Sequence, residues 1–440
     1  MSTTDTAPPR THRIRNYLVG LCLTMLVVVV VAAVVVAVRT VDARRATDQR
    51  QAALAPFYQP PAGWVSQSPG AVLRTQPISG VPAGGRGWRI LYRSQRSDGT
   101  PTVSSGLVFA PGPTAPAAPA GGRVVLAWTH GTTGMGDACA PSRTATPTVT
   151  VPGLDLFLQA GWVVAATDYS GLGTPGTEEY LIGAAEARDA LNSVRAARQM
   201  PAADQVDAGP TVLVFGHSQG GASALWTAQD APTYAPDLHV VATAAAAPAA
   251  DLDVLIAHQW NTLVGTLIGA EVLRAWPGTQ PGLDPAAVTT ASPGRIASLA
   301  DGCLSQVAGR LALAKIFGTR PIFDRNPADS APWRAAIVAN SPPPPPVPTL
   351  VVQETTDGVV LAGSNAAWMD GVCADRAAAP TSAWYIGGVG SPDAPSGLQV
   401  HLVTGKAAAP LAFTWFQQRL SGVPATSTCG TLSPVTPLAG

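Results

Sequence analysis

An apolar run, Thr211 to Phe215, leads into Gly216-His217-Ser218-Gln219-Gly220, and a helical pattern opens at Ala222. A strand that passes into a helix within six residues needs a sharp turn. Flanking glycines permit one, because strand and helix can approach where a Cβ would clash. Such a turn presents its central serine at the C-terminal edge of a sheet. The string alone is weak in a chain with 44 glycines. Its strand-to-helix setting gives it weight, and Ser218 is the expected nucleophile.

The surroundings agree. Val124 to Trp128 and Trp162 to Thr167 read as short apolar strands, and Ala185 to Arg198 as a helix. His239 to Ala245 and Thr349 to Gln353 continue the strand pattern, and Ala407 to Leu420 reads as a final helix. Apolar strands alternating with helices imply an α/β fold: a mostly parallel sheet with helices on both faces. A hairpin, Trp88 to Arg96 and Thr102 to Ala110 around Asp98-Gly99, precedes it. Between about Asp251 and Ser341 the alternation stops and the chain reads as helical. Trp260, Leu263, Val264, Leu267 and Ile268 hold helical spacing there. Gly265 and Gly269 suggest close packing. Prolines 342–346 and Pro348 end this insertion.

A serine hydroxyl needs a base. Of six histidines, His12 precedes a long apolar segment, His130 precedes the serine, and His217 lies inside the turn. His239 opens a strand and His258 sits in the helical insertion. His401, shortly before the last helix, is the expected base. The acid belongs between Ser218 and His401, in the loop after a strand. Asp357 fits, with Glu354 and Asp393 in reserve. Its role is to hold the imidazole tautomer and stabilise the imidazolium. Two donors are needed for a developing oxyanion. The backbone N–H of Gln219 is one. The loop His130-Gly131-Thr132-Thr133-Gly134 supplies the other, through Thr132 or Thr133.

Formal net charge is zero and charged residues are 12% of the chain. No basic excess exists to neutralise phosphates, so nucleic acid is excluded as a partner. Gly171-Leu172-Gly173-Thr174-Pro175-Gly176 imitates a dinucleotide motif, but Pro175, Gly176 and Thr177-Glu178-Glu179 intervene before any helix can open. No cofactor and no metal is expected.

The segment 17–38 carries no charge and, at 1.5 Å per residue, would span about 33 Å as a helix. That exceeds the ~7–15 apolar residues of a cleavable signal. The expectation is a cytoplasmic tail at 1–16, an anchor in the cytoplasmic membrane at 17–38 and a linker at 39–65. The core would occupy 66–250 and 346–432, the helical cap 251–345 and a tail 433–440. The catalytic domain would then lie outside the cytoplasm, or be secreted if the segment is cleaved. Basic residues flank the segment on both sides and do not fix its orientation. Beyond Cys22 the chain has Cys139, Cys303, Cys373 and Cys429. An even number past an export signal favours two disulfides, with the pairing open.

Several ordered strings together resemble the secretory lipase family, the group typified by lipase A of Candida antarctica, over roughly residues 65 to 430. They are Cys139-Ala140-Pro141-Ser142, Asp168-Tyr169-Ser170-Gly171, Tyr234-Ala235-Pro236-Asp237-Leu238 and Gly302-Cys303-Leu304. Cys373, Cys429-Gly430-Thr431, Asp357-Gly358-Val359-Val360 and His401-Leu402 complete them. The resemblance implies an α/β-hydrolase fold and hydrolysis of triacylglycerols or related esters, with the insertion acting as cap and lid. It also implies Cys139 paired with Cys303 and Cys373 with Cys429. Two departures stand out. The Thr132-Thr133 region replaces a carboxylate of the family's oxyanion site, and the apolar N-terminal segment is foreign to the secreted fungal enzymes. The same triad could serve acyl transfer or peptide hydrolysis. A non-catalytic, membrane-tethered binding protein is the rival reading from another class.

Overall fold

The computed structural model describes residues 10–304, 320–388, 397–431 and 433–439. The chain divides into two units, Met1–Pro56 and Phe57–Gly440. The first is built on the helix Arg10–Tyr58. The sequence reads 39–65 as a linker, but the helix runs through it as far as Tyr58. No glycine or proline interrupts residues 39–55, and alanine, arginine and glutamine dominate them. The expected anchor, 17–38, also lies in this helix. Among the described residues no helix is long and apolar enough to cross a membrane. Membrane anchoring is therefore not supported.

The second unit carries a nine-stranded sheet. In chain order its strands are β1 (Val72–Ile78), β2 (Arg86–Gln95), β3 (Pro101–Ala110), β4 (Arg123–Thr129), β5 (Val163–Thr167), β6 (Ala208–His217), β7 (His239–Ala246), β8 (Thr349–Glu354) and β9 (Thr381–Ile386). Their spatial order is β1-β2-β3-β5-β4-β6-β7-β8-β9. β1 to β3 are antiparallel, β3 pairs antiparallel with β5, and the remaining neighbours are parallel. The Asp98-Gly99 hairpin joins β2 to β3, with Gly99 at φ 86°. β1 has no counterpart in the sequence reading. Pro77 and its exposed positions suit an edge strand and mask the alternation.

Alternate residues of the central strands feed two cores. Val212 and Val214 pack with Leu191, Val194 and Ala224 from the helices Gly183–Arg198 and Gln219–Tyr234. Leu213 and Phe215 pack on the other face with Phe157, Ala408 and Phe416, from the helices Leu154–Gln159 and Gly397–Leu420. Burial on both faces explains why these strands read as continuous apolar runs.

Between β7 and β8 lie the helices Leu252–Gln259, Leu263–Ala275, Pro293–Ala300 and Ala331–Asn340. The stripe from Trp260 to Ile268 is broken rather than continuous. Thr262 caps the second helix by accepting from the Gly265 N–H at 3.1 Å. A Cβ on Gly265 would lie 2.0 Å from the Gln259 carbonyl oxygen, so glycine lets the chain reverse there. The Gly269 position likewise admits the Phe323 ring.

Candidate active site

Ser218 joins β6 to the helix Gln219–Tyr234 with φ 61° and ψ −122°. A non-glycine residue pays strain for this conformation, and the surroundings must hold it. They do so through hydrogen bonds. The Ser218 N–H donates to the Ala246 carbonyl at 2.9 Å, and its carbonyl accepts from Ala222 and Ala249. A Cβ on Gly216 would sit 1.9 Å from the Gly220 oxygen, and one on Gly220 2.0 Å from the Thr129 oxygen. The two glycines of the motif are therefore steric requirements of the turn.

His401 and Asp357 converge on this serine. His401 Nε2 lies 2.8 Å from Ser218 Oγ, and His401 Nδ1 lies 2.7 Å from Asp357 Oδ2. A carboxylate facing Nδ1 selects the tautomer that donates there and leaves Nε2 to accept. The other Asp357 oxygen accepts from the Val359 and Val360 N–H groups at 2.8 and 3.0 Å. The acid loop is pressed against the start of the histidine's helix. The Gly358 N–H donates to the Gly397 carbonyl, and no Cβ would fit between these glycines.

His401 belongs to the helix, not to a loop before it. That helix opens at Gly397, ten residues ahead of Ala407. Of the reserve acids, Glu354 is buried and spends its carboxylate on the N–H and hydroxyl of Thr356. Asp393 lies outside the described residues.

Two histidines set aside in the sequence lie beside the site, His130 buried and His217 half-buried. His217 donates from Nε2 to the His401 carbonyl at 3.0 Å, with the rings 4.7 Å apart. Burial, then the neighbouring His401, depresses its pKa to about 3. It is therefore neutral. His130 places its two ring nitrogens against the Gly131 and Asp168 carbonyls.

The first oxyanion candidate, Gln219, is the first residue of its helix and is buried. The other loop packs directly on Ser218. A Cβ on Gly131 would be 3.2 Å from Ser218 Cβ. Thr132 Oγ1 is 2.7 Å from the Tyr180 hydroxyl, while Thr133 offers its carbonyl to the Leu304 N–H at 2.8 Å. A disulfide between Cys139 and Cys303 ties the same loop to the helical insertion, and a second joins Cys373 to Cys429.

Behind Gln219 sits a group of acids with no signal in the sequence. Its side-chain nitrogen donates to Glu178 at 3.2 Å and Glu186 at 2.8 Å. Burial raises the Glu186 pKa to about 8 and pushes Glu178 and nearby Glu271 well above the carboxylate range. Glu178 and Glu179 read locally as a polar, exposed pair. Only the tertiary fold buries them.

Two cavities meet at Ser218 and share Thr132, Val264, Ile268 and Val359. The narrower, about 80 Å³, runs under the insertion between Leu255, Trp260, Val272, Trp276, Phe323 and Ile337. Its apolar wall suits a hydrocarbon chain. The wider, about 290 Å³, is lined by His401 and by hydroxyl-bearing Thr133, Thr144 and Thr150. The glycine-rich string 171–176 is a loop, and the next helix opens only at Gly183.

A central sheet of this topology, with a serine on the β6 turn and helices on both faces, defines an α/β-hydrolase. A sequence model described as secretory lipase matches residues 142–428, and the chain belongs to that family. It is 30% identical over 254 residues to the probable inactive lipase MT1628 of Mycobacterium tuberculosis, covering 52% of each chain. It is 29% identical over 217 residues to the secreted triacylglycerol lipase LIP4 of Malassezia globosa, covering 46% of this chain and 45% of that one. The chain spans about half the length of the curated relatives it matches. Among solved structures, the rice cell wall degrading esterase LipA of Xanthomonas oryzae superposes with TM-score 0.67 at 20% identity. That match covers 81% of this chain and 100% of the other. Lipase A of Candida antarctica, in its closed state, gives 0.65 at 18%, over 88% and 89%. These likenesses are of fold.

Proposed function

We propose that this protein hydrolyses carboxylic esters of lipid character through Ser218, His401 and Asp357. One observation carries the reading: an unbroken hydrogen-bonded line, Asp357 to His401 to Ser218, ends where an apolar cavity opens. Ser218 Oγ forms a bond to the acyl carbon while its proton passes to His401 Nε2. Asp357 stabilises the imidazolium without taking the proton. The carbonyl electron pair moves to oxygen, which the Gln219 N–H receives. Collapse breaks the bond to the alcohol, which leaves with the proton from His401. Water, deprotonated by His401, then releases the acid from the acyl-enzyme. No step calls on a metal or cofactor.

The narrow apolar cavity would take the acyl chain and the wider one the alcohol. The insertion over them would act as cap, with 66–250 and 346–432 as the core it covers. Two disulfides and membership in a secretory family favour export, for which 17–38 would be the signal. Assay of the culture medium beside protease-treated intact cells tests this, and a catalytic unit found only inside protected cells would refute it. The non-catalytic reading gains colour from the name of the mycobacterial relative, but the intact line at Ser218 favours an enzyme. Turnover of p-nitrophenyl esters of increasing chain length, beside emulsified triglyceride, tests the proposal. Hydrolysis that improves with acyl length is expected; no turnover of any ester would overturn it.

A further inference from the structure

Glu178, Tyr180 and Glu186 are buried on one short stretch, and the reaction above uses none of them. Each touches a residue at the place where the oxyanion must form. The Tyr180 hydroxyl pairs with Thr132 Oγ1 at 2.7 Å. Glu178 and Glu186 both receive the side-chain nitrogen of Gln219. The stretch is itself pinned, since Trp276 Nε1 donates to the Tyr180 carbonyl at 2.9 Å and the Leu181 N–H donates to Glu186 at 2.9 Å.

The direction of the Tyr180–Thr132 bond matters. A phenol is a far stronger hydrogen-bond acid than an aliphatic alcohol, so Tyr180 donates and Thr132 accepts. Thr132 then keeps its own hydrogen for a partner in the cavities, both of which it lines beside Ser218. Thr133 lines only the wider one, and its backbone carbonyl is taken up by the Leu304 N–H.

We infer that the stretch Glu178–Glu186 is the backing of the oxyanion site. Tyr180 turns the Thr132 hydroxyl toward the oxygen that becomes negative, and Glu178 and Glu186 fix Gln219 so that its backbone N–H faces the same point. The inference rests on the ester-hydrolase reading above. Thr132 is then a catalytic residue, while Tyr180, Glu178 and Glu186 are positioning residues. The acids must be neutral to serve, because ionised carboxylates would oppose an oxyanion at close range. Their burial without an ion-pair partner among the described residues favours the protonated form.

The test is steady-state hydrolysis of p-nitrophenyl butyrate, with inhibition by a trifluoromethyl ketone that forms a hemiketal oxyanion on the serine. Thr132→Val should lower kcat by about 10²–10³ with little change in KM. Thr132→Ser should restore most of that loss. Tyr180→Phe should lower kcat by about tenfold, leave KM near wild type and weaken the ketone by the same factor. In the Thr132→Val background, Tyr180→Phe should be silent, because its only route of action is gone. Both single replacements conserve shape, and thermal unfolding confirms that the variants fold. An active wild type whose Tyr180→Phe variant keeps its kcat, or a double variant whose losses multiply, overturns this inference alone. A wild type that hydrolyses no ester removes the reading beneath it as well.

Discussion

The imidazole of His217 donates from Nε2 to the carbonyl oxygen of His401 at 3.0 Å, so the neighbour of Ser218 holds the helix that carries His401. A Cβ on Gly405 would lie 2.8 Å from the His217 ring, which is therefore wedged against that helix. His217→Phe keeps a flat ring but loses the donor. One neutral hydrogen bond is worth about 0.5–1.5 kcal/mol, so kcat should fall by up to about tenfold. Because His217 titrates near pH 3, the variant's kcat/KM profile should keep its shape between about pH 5 and 9. A displaced acid limb would contradict the neutral role.

The Cys139–Cys303 disulfide acts beside two backbone bonds, from Met135 to the Ala300 carbonyl and from Leu304 to the Thr133 carbonyl. Together they clamp the segment from Thr133 to Cys139 to the insertion. Replacing both cysteines with serine should lower stability by about 2–5 kcal/mol and also lower kcat. The Cys373–Cys429 pair lies away from the cavities, so its removal should cost stability with kcat held. Denaturant unfolding and initial rates measure the two effects. Equal loss of kcat in both variants would count against the clamp.

Glu186 gives stability a distinct pH dependence. Its folded pKa, about 8, lies above its unfolded value of 4.5. Between these values the folded state holds a proton that the unfolded state releases, so stability falls as pH rises through the window. The depressed His217 works oppositely, but only below its ordinary 6.5. The thermal midpoint should therefore drop from pH 6.5 to 8, and Glu186→Gln should lessen the drop, leaving the share of Glu178 and Glu271, which are raised in the same direction. An unchanged slope in that variant would refute a protonated Glu186.

The residues of the proposed triad and the parallel strands were legible because their signals are local. A buried strand reads as an apolar run, the elbow demands glycine on both sides of Ser218, and the local setting of each of the six histidines leaves His401. The helix boundary at Gly397 was not, since Gly397 and Gly405 weaken the local helical pattern that packing restores. Neither was the role of His217 or of Glu178, Tyr180 and Glu186. Their partners lie far along the chain, and nothing in an adjacent pair of glutamates distinguishes a buried acid from a solvated one. Residues 39–58 illustrate the converse, where position after an apolar segment suggested a linker but composition favoured helix.

Two glycines with opposite surroundings separate steric need from chance. Gly220→Ala would force a Cβ to 2.0 Å from the Thr129 oxygen and should abolish both folding of the elbow and activity. Gly371, on an exposed face of the helix Ala362–Ala374, has nothing within 4 Å of a Cβ. Gly371→Ala should stabilise the protein by about 0.5–1 kcal/mol with activity unchanged. Thermal melts and ester turnover decide both cases. A stable, active Gly220→Ala would show that the turn does not need that close approach.

The most direct measurement is covalent labelling with a fluorophosphonate probe, followed by mass analysis of the modified peptide. Wild type should be labelled once, on Ser218, and Ser218→Ala should take up none. His401→Ala should be labelled far more slowly, because the hydroxyl has lost its base. An unlabelled wild type, or equal labelling of Ser218→Ala, would contradict Ser218 as the nucleophile.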